Sequence, residues 1–204
     1  MATLAPAATI GPVRTIGVLG GTFDPPHAAH LLVATYVLAA APVDAVWVLP
    51  VAHHPLGKQP GADFATRMHL CRLAFALLGE RIAVRDDEQD SSGRTLDLLG
   101  LLRERHPQHQ FRLIIGSDIL AERARWHRFE AVTELAPPIV LRRPGFAVPN
   151  EFTDVALPVV LPELASTAIR ERLRRGESAQ GWLPQAVAAE IARLGLYRGG
   201  ASHG

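Results

Sequence analysis

Short apolar runs alternate with longer segments of mixed apolar and polar residues along most of the chain. Runs of this length, bounded by Gly, Pro or polar residues, are typical of buried β-strands. The strands predicted in this way span residues 13–19, 46–49, 82–84, 111–115, 139–141 and 159–161.

The longer segments between these runs carry apolar residues at helical spacing. Asp63 precedes one of them and is expected to cap its helix, because a side-chain oxygen there accepts hydrogen bonds from free backbone amides. Gly176 and Gly195 stand where glycines commonly follow the last helical turn. The predicted helices span residues 28–41, 63–78, 95–106, 166–175 and 184–194, with two short helices within 119–135.

This alternation of strands and helices predicts repeated β-α-β units, and hence a doubly wound α/β fold with a mostly parallel sheet. In such sheets, ligands bind beyond the carboxyl ends of the strands. Residues 20–30, 116–118 and the loop at 51–62 each follow a predicted strand. We therefore expect these three segments to meet in one crevice.

Composition and charge exclude several classes of protein. The chain has 204 residues, of which 48% are hydrophobic and 20% are charged, as in an ordinary globular domain. We expect one domain at residues 15–197, between a disordered N-terminal extension at 1–14 and a loose tail at 198–204. The net charge of +1 favours neither nucleic acid nor a membrane as a partner, and whether the chain forms a homo-oligomer is left open.

The sequence contains one cysteine, Cys71, so no disulfide can form within the chain. Cys71 lies among the leucines of a predicted helix and is expected to be a small buried apolar residue rather than a reactive thiol. The N-terminal segment lacks the basic and apolar regions of a signal peptide. Together these features predict a cytoplasmic protein.

The segment most informative about chemistry lies between the first predicted strand and the first predicted helix, and reads GGTFDPPHAAH from Gly20 to His30. Its two glycines allow a tight turn and the close approach of a phosphate to the backbone. The following helix offers free amide groups and the positive end of its dipole to an anion. His27 and His30 share one face of that helix, so both imidazoles can donate hydrogen bonds to phosphate oxygens.

Other interpretations of this segment are weaker. No third glycine completes a dinucleotide-binding fingerprint, and no Gly-Lys-Ser/Thr completes a Walker loop. Zinc-binding helices favour histidines four residues apart with further ligands, so no metal site is predicted at His27 and His30. The remaining alternative is a pair of histidines that only cap the helix and pack.

The segment resembles the signature of the nucleotidyltransferase superfamily with the T/H-x-G-H motif. In particular, it resembles that of the bacterial nicotinate mononucleotide adenylyltransferases, whose opening reads GGTFDP-x-H-x-x-H. The resemblance covers residues 16–197, with later matches in FRLIIGSDILAERARW at 111–126, LRRPG at 141–145, ASTAIRERL at 165–173 and LGLY at 194–197. It implies a Rossmann-like nucleotidyltransferase fold.

The chain departs from this family's pattern at several positions. Ala29 stands where the family usually has glycine, and Ala165 replaces the first serine of a Ser-Ser-Thr motif. The two loops that contact the acceptor nucleotide in the family differ more, reading HHPLGK at 53–58 and DSSGRTL at 90–96. These differences affect the identity of the acceptor more than the type of reaction.

The resemblance implies that ATP binds at the first signature, with Mg²⁺ carried by its triphosphate. An acceptor phosphate then attacks the α-phosphorus in line and pyrophosphate leaves, so catalysis consists of positioning and charge neutralisation. A catalytic role is implied for Thr22, His27, His30 and Arg170, and ATP binding for Gly20, Gly21, Thr22, Phe23, His30, Gly116, Asp118, Ser166, Thr167 and Arg170. Ordinary helix capping is the alternative role of Asp118 and Ser166.

The acceptor nucleotide is implied to contact Lys58, Ser92, Arg94, Thr95 and Trp126. Trp126 resembles the tryptophan that stacks on the pyridine ring in the family. An arginine at position 94 can favour the acid over the amide, and backbone amides are the alternative groups for this discrimination. A purely structural or solvent-exposed side chain is the alternative at Lys58 and Trp126.

The resemblance therefore implies an adenylyltransferase of NAD biosynthesis, which converts ATP and nicotinate mononucleotide to deamido-NAD and pyrophosphate. The alternatives are the same reaction on nicotinamide mononucleotide, the adenylylation of phosphopantetheine or flavin mononucleotide, and a nucleotide-binding module without activity. The two histidines, Thr22 and Arg170 favour an enzyme over such a module. The choice between nicotinate and nicotinamide stays open at this point.

Overall fold

The computed structural model describes residues 14–53 and 60–198. The strands are β1 (Thr15–Gly21), β2 (Ala45–Pro50), β3 (Ile82–Val84), β4 (Gln110–Gly116), β5 (Pro138–Arg142) and β6 (Ala156–Val160). The predicted limits of the last strand, 159–161, are wrong, because pairing with β5 begins at Ala156 and passes through a bulge. Pro158 lies inside β6 and is tolerated there because β6 is an edge strand.

The helices are α1 (Ala28–Ala40), α2 (Phe64–Phe75), α3 (Thr95–Arg105), α4 (Ser117–Ala121), α5 (Phe129–Leu135), α6 (Ser166–Arg174) and α7 (Gln185–Leu194). The cap of α2 is confirmed, since an Asp63 carboxylate oxygen accepts from the amide of Thr66 at 2.7 Å. The predicted end of this helix at residue 78 is wrong, because the chain tightens into a 3₁₀ helix at Ala76–Arg81 that contains Gly79 with a φ of 71°.

Three further 3₁₀ segments, at Asp87–Asp90, Arg123–Arg125 and Asn150–Val155, lie in regions where the sequence pattern predicts no separate element. Arg123–Arg125 lies between α4 and α5, so residues 119–135 hold three helical pieces rather than two. Such short segments leave no recognisable periodicity, because each has only one or two turns.

The six strands form one sheet in the order β3-β2-β1-β4-β5-β6, and every strand pair is parallel. The chain runs outward from β1 to β3, then crosses to β4 on the other side of β1. The strand order therefore reverses between β1 and β4, and a crevice forms at the carboxyl ends of the strands at such a point. The predicted doubly wound, Rossmann-like fold is confirmed.

Hydrophobic residues cover both faces of this sheet. On one face, Val46 and Val48 belong to a cluster with α1, α2, α6 and α7, and on the other Trp47 and Leu49 pack with α3, α4 and α5. This division follows from the alternation of side chains along a strand. Cys71 is fully buried in the first cluster, as predicted, and burial raises the pKa of its thiol.

The predicted domain limits remain a prediction. The extension at 1–14 and the tail at 198–204 lie outside the described residues except for Arg14 and Arg198. Within the described ranges, no helix combines the length and apolar character that crossing a membrane requires.

Candidate active site

A cavity of about 420 Å³ opens beyond the carboxyl ends of β1, β4, β5 and β6. The predicted nucleotide-binding residues that line it are Thr22, Phe23, His27, His30, Asp118, Ser166, Thr167 and Arg170. Pro60 also lines it, so the three segments that follow β1, β2 and β4 meet in one crevice as predicted. A larger cleft of about 820 Å³ between α6 and α7 lies away from these strand ends.

Gly21 and Gly116 allow side chains that line this cavity to lie close to the backbone. A Cβ on Gly21 would lie 3.2 Å from the ring of Phe23, which folds back over the turn with a φ of 51°. A Cβ on Gly116 would overlap the carboxylate of Asp118 and lie 3.2 Å from Arg143. Gly20, which has no atom within 4 Å of its Cβ position, is not constrained in this way.

The histidine pair lies at the start of α1. His27 is the residue before the helix, and its backbone N–H donates to Nδ1 of His30 at 3.1 Å. The two rings stack with their centroids 3.8 Å apart, and the ring of Phe23 packs 4.7 Å from that of His30. Because Nδ1 of His30 accepts a hydrogen bond, its proton lies on Nε2 in the neutral ring.

Both histidines are uncharged at neutral pH. Burial lowers the pKa of His27 to about 4, and the nearby charge of Arg143 lowers it further. Burial also holds the pKa of His30 well below its usual value, with smaller contributions from His27 and Arg143. The pair therefore presents neutral N–H donors to the cavity rather than fixed positive charges.

We expect these histidines to make the fold less stable in acid. The unfolded chain binds a proton at His27 below pH 6.5, whereas the folded chain does so only near pH 4, so stability falls as the pH drops between these values. From pH 7 to pH 5 the expected loss from His27 is about 2 kcal/mol. The measurement is urea unfolding of the wild type and His27→Gln at both pH values.

The comparison with His27→Gln is needed because Glu88 has the opposite effect. Burial raises the pKa of its carboxyl to about 7, so its contribution to stability is lost as the pH rises through that value. The contribution of Glu88 is the same in the wild type and in His27→Gln, so it cancels when the pH dependence of one protein is subtracted from that of the other. Equal pH dependence in the two proteins would contradict a buried neutral imidazole at position 27.

The residues that line the cavity without having been predicted as site residues include Asp24, Arg143, Phe146 and Glu163. Arg143 follows β5, and its nearest carboxylate contact is a long one, 3.9 Å from Nε to Asp118. Its buried Nε has no hydrogen-bond partner among the described residues. A basic residue directly after a predicted buried strand was the available signal, since such positions meet at the ligand-binding edge.

Arg170 is already engaged within the protein. Its Nη1 donates to the backbone oxygen of Asp24 at 2.6 Å and lies 3.4 Å from the carboxylate of the same residue. Its Nη2 donates to the hydroxyl of Thr167 at 3.3 Å. Much of its charge is therefore compensated by Asp24, whereas Arg143 is the cation of this cavity with the weakest internal pairing.

Neither Ser166 nor Asp118 caps its helix. Ala165 is the residue before α6, and Gly116 is the residue before α4. The hydroxyl of Ser166 instead donates to the backbone oxygen of Pro25 at 2.9 Å, which ties α6 to the turn after β1. The capping interpretation is thus wrong for both residues, because each lies inside the first helical turn.

The predicted acceptor residues do not line this cavity in the described parts of the chain. Lys58 lies outside the described residues. Ser92 accepts from the amide of Arg94 and donates to Asp97, at the start of the helix that begins with Thr95. Trp126 is half-buried with its edge against Phe129, at a centroid distance of 5.9 Å. Their role in acceptor binding stays a prediction.

Comparison with known proteins shows which family model, relatives and solved structures this chain is similar to. A cytidylyltransferase-like family model matches residues 18–172. A protein named probable nicotinate-nucleotide adenylyltransferase from Anaeromyxobacter sp. is 43% identical over 91% of this chain and 98% of its own length. One of the same name from Myxococcus xanthus is 40% identical over 91% and 96%. The Plasmodium falciparum nicotinic acid mononucleotide adenylyltransferase complexed with NaAD has the same fold, with a TM-score of 0.77 and 20% identity over 90% of this chain and 97% of that one.

Proposed function

Because the chain belongs to the cytidylyltransferase-like family, and within it to the nicotinate-nucleotide adenylyltransferases, we propose that its strand-end cavity joins ATP to a pyridine mononucleotide. The chain transfers AMP from ATP to nicotinate mononucleotide and releases pyrophosphate, a step of NAD biosynthesis. The observation that carries this function is the stacked pair of neutral histidines beside Arg143, at the reversal of strand order.

In the proposed reaction, an oxygen of the acceptor phosphate forms a bond to the α-phosphorus, and the bond from this phosphorus to the bridging oxygen breaks. Pyrophosphate leaves with the electron pair. The acceptor phosphate is ionised at neutral pH, so no general base is required. The protein must hold the reactants in line and stabilise the charge that develops on the phosphate oxygens.

We assign the donor groups to this task by their position. Nε2 of His30 carries the proton of the neutral ring and can donate to a phosphate oxygen without first losing a partner. Arg143 supplies the positive charge that the neutral histidines lack, in a planar group suited to phosphate. Thr22, the backbone amides of Phe23 and Ser166, Thr167 and Arg170 contribute further donors on the cavity wall, while the Ser166 hydroxyl already donates to Pro25.

We further propose that Mg²⁺ enters with ATP. Mg²⁺ usually binds through substrate phosphates and one or two carboxylates. Asp118 and Glu163 are the carboxylates of the cavity wall beside Asp24, whose own oxygens accept hydrogen bonds within the protein. The ion would neutralise phosphate charge. A cytoplasmic location and a homo-oligomeric state remain proposals, the first supported by a single buried cysteine.

The direct test is pyrophosphate release from ATP and Mg²⁺ with one acceptor at a time. We expect rapid release with nicotinate mononucleotide, and slower release with nicotinamide mononucleotide or phosphopantetheine. If none of these acceptors gave pyrophosphate release, the enzymatic function would be contradicted. Release with nicotinamide mononucleotide alone would contradict the preference for the acid.

Replacing Trp126 by alanine tests the acceptor site. If the indole stacks on the pyridine ring, its loss raises the KM for the pyridine nucleotide about fivefold, since such stacking contributes roughly 1 kcal/mol. The KM for ATP should change less than about twofold, and Trp126→Phe should retain part of the affinity. Equal increases in both KM values would show that Trp126 has only a packing role against Phe129.

A further inference from the structure

Asp24 lies in the first signature at the edge of the cavity, but only 2% of its surface is exposed and its carboxylate is bonded within the protein. One carboxylate oxygen accepts from the amide of Gly61 at 2.7 Å, and the other accepts from the amide of Ala62 at 3.1 Å. The carboxylate thus joins the turn after β1 to the end of the loop after β2. Pro60, the neighbouring residue in that loop, lines the cavity.

The same carboxylate receives a third hydrogen bond from the far end of the chain. The phenol of Tyr197 donates to Oδ1 of Asp24 at 2.7 Å, across 173 positions of sequence. Tyr197 is buried, and both this burial and the bond to Asp24 raise the pKa of its hydroxyl, so it is protonated and acts as a donor.

The chain after α7 is shaped so that this phenol reaches Asp24. Gly195 ends α7 with a φ of 64°, and the amide of Leu196 bonds back to the oxygen of Ile191 at 3.0 Å. Tyr197 itself has a φ of 59°, a conformation that a non-glycine residue keeps only where its surroundings hold it.

The ring of Tyr197 also restrains the loop directly. A Cβ on Gly61 would lie 3.1 Å from the Tyr197 ring and 3.4 Å from the side chain of Arg170. Gly61 therefore fits between these two side chains, and its amide faces the carboxylate of Asp24. No side chain larger than hydrogen fits at this position without a shift of the loop or the ring.

We propose that Asp24 and Tyr197 are positioning residues that hold the Pro60–Ala62 wall of the cavity against the ATP-binding turn. The phenol fixes the carboxylate, and the carboxylate fixes the amides of Gly61 and Ala62. This inference rests on the proposed function, in which the preceding part of the same loop, at Lys58, contacts the acceptor. Loss of the clamp should therefore weaken acceptor binding more than ATP binding.

The first test is kinetic and uses Tyr197→Phe, which removes only the hydroxyl. The loss of one buried hydrogen bond to a charged group should raise the KM for nicotinate mononucleotide about tenfold, while the KM for ATP changes less than about twofold. Asp24→Asn should raise the KM for nicotinate mononucleotide further, and should also raise the KM for ATP, because it removes the charge that pairs with Arg170. The double variant should be no worse than Asp24→Asn alone, because the phenol acts through the carboxylate.

The second test does not depend on activity. In Tyr197→Phe, hydrogen exchange at the amides of Gly61 and Ala62 should accelerate about tenfold, whereas that of Leu113 in the central strand β4 should not change. Tyr36→Phe is the matched control, because Tyr36 is the other tyrosine of the sequence and lies on α1. It should leave exchange and both KM values as in the wild type.

Three results would overturn the clamp. Unchanged exchange at Gly61 and Ala62 in Tyr197→Phe would show that the phenol does not hold the loop. Equal acceleration of all amides, or equal changes in both KM values, would show a general contribution to stability. If the wild type released no pyrophosphate with any acceptor, the proposed function would fail, and the exchange experiment would still decide on the clamp.

Discussion

Replacing His30 by alanine lowers kcat by about a thousandfold in the reaction proposed for this cavity, the upper end of the effect of removing one preorganised donor. The reason is the fixed direction of the imidazole. Nδ1 of His30 is occupied by the backbone N–H of His27, so Nε2–H is the group that can meet a phosphate oxygen as charge develops. The measurement is the initial rate of pyrophosphate release with saturating substrates.

Two further substitutions distinguish the role of the Nε2–H donor of His30 from that of the rest of its imidazole ring. His30→Gln places an amide nitrogen near the position of Nε2 and should recover part of the rate. His30→Asn can still accept from the amide of His27 but does not reach the Nε2 position, and should be as slow as alanine. A rate close to that of the wild type in His30→Asn would contradict the assigned role of Nε2.

The fold should tolerate these changes. Alanine favours the helix, and the variant loses one part-buried hydrogen bond and the packing of a half-buried imidazole, so the Tm should shift by only a few degrees. His69→Ala is the matched control, because His69 lies on α2 and its ring contacts Glu190 at the surface, 2.9 Å away. It should retain wild-type activity.

Replacing Arg143 by glutamine should lower kcat/KM for ATP by about a hundredfold, the loss expected for a charged group that makes two hydrogen bonds to phosphate. Arg170 cannot compensate, because Asp24 already engages its guanidinium. The value of kcat/KM is obtained from initial rates of pyrophosphate release, with the ATP concentration varied and the acceptor saturating.

A second readout of Arg143→Gln distinguishes charge from shape. The positive charge of Arg143 lowers the pKa of both His27 and His30, so its removal should raise both pKa values. NMR titration of the imidazole protons measures this shift. Arg142→Gln, at the adjacent position in β5, is the matched control and should change neither the pKa values nor kcat/KM. If Arg143→Gln lowered kcat/KM but left the pKa values of His27 and His30 unchanged, Arg143 would not lie close enough to the two histidines to affect their charge.

The neutral histidines and Arg143 have complementary roles in this site. Charged imidazoles beside an arginine would repel one another in the free protein and would be costly to bury. Neutral rings avoid this repulsion and still offer N–H donors. In the proposed reaction, the permanent charge of Arg143, together with the Mg²⁺ that we propose to enter with ATP, then supplies the charge that the triphosphate requires.

Local sequence was sufficient for most of the secondary structure. Strands such as β2 and β4 are apolar runs ended by Pro50 and Gly116, and such signals act within a few residues. Errors arose where the local pattern was weak, as in β6, whose limits depend on pairing with β5 and not on its own composition. The 3₁₀ segments were not predicted because their local pattern is also weak.

Strand periodicity and the three-residue spacing of His27 and His30 are properties of neighbouring residues, so the pattern of residues was enough to predict the fold class and the histidine pair. The position of Arg143 beside that pair and the bond from Tyr197 to Asp24 are visible only in the folded chain. These contacts join residues far apart in the chain. They follow from the order of the strands and the packing of α6 and α7, which no local pattern encodes.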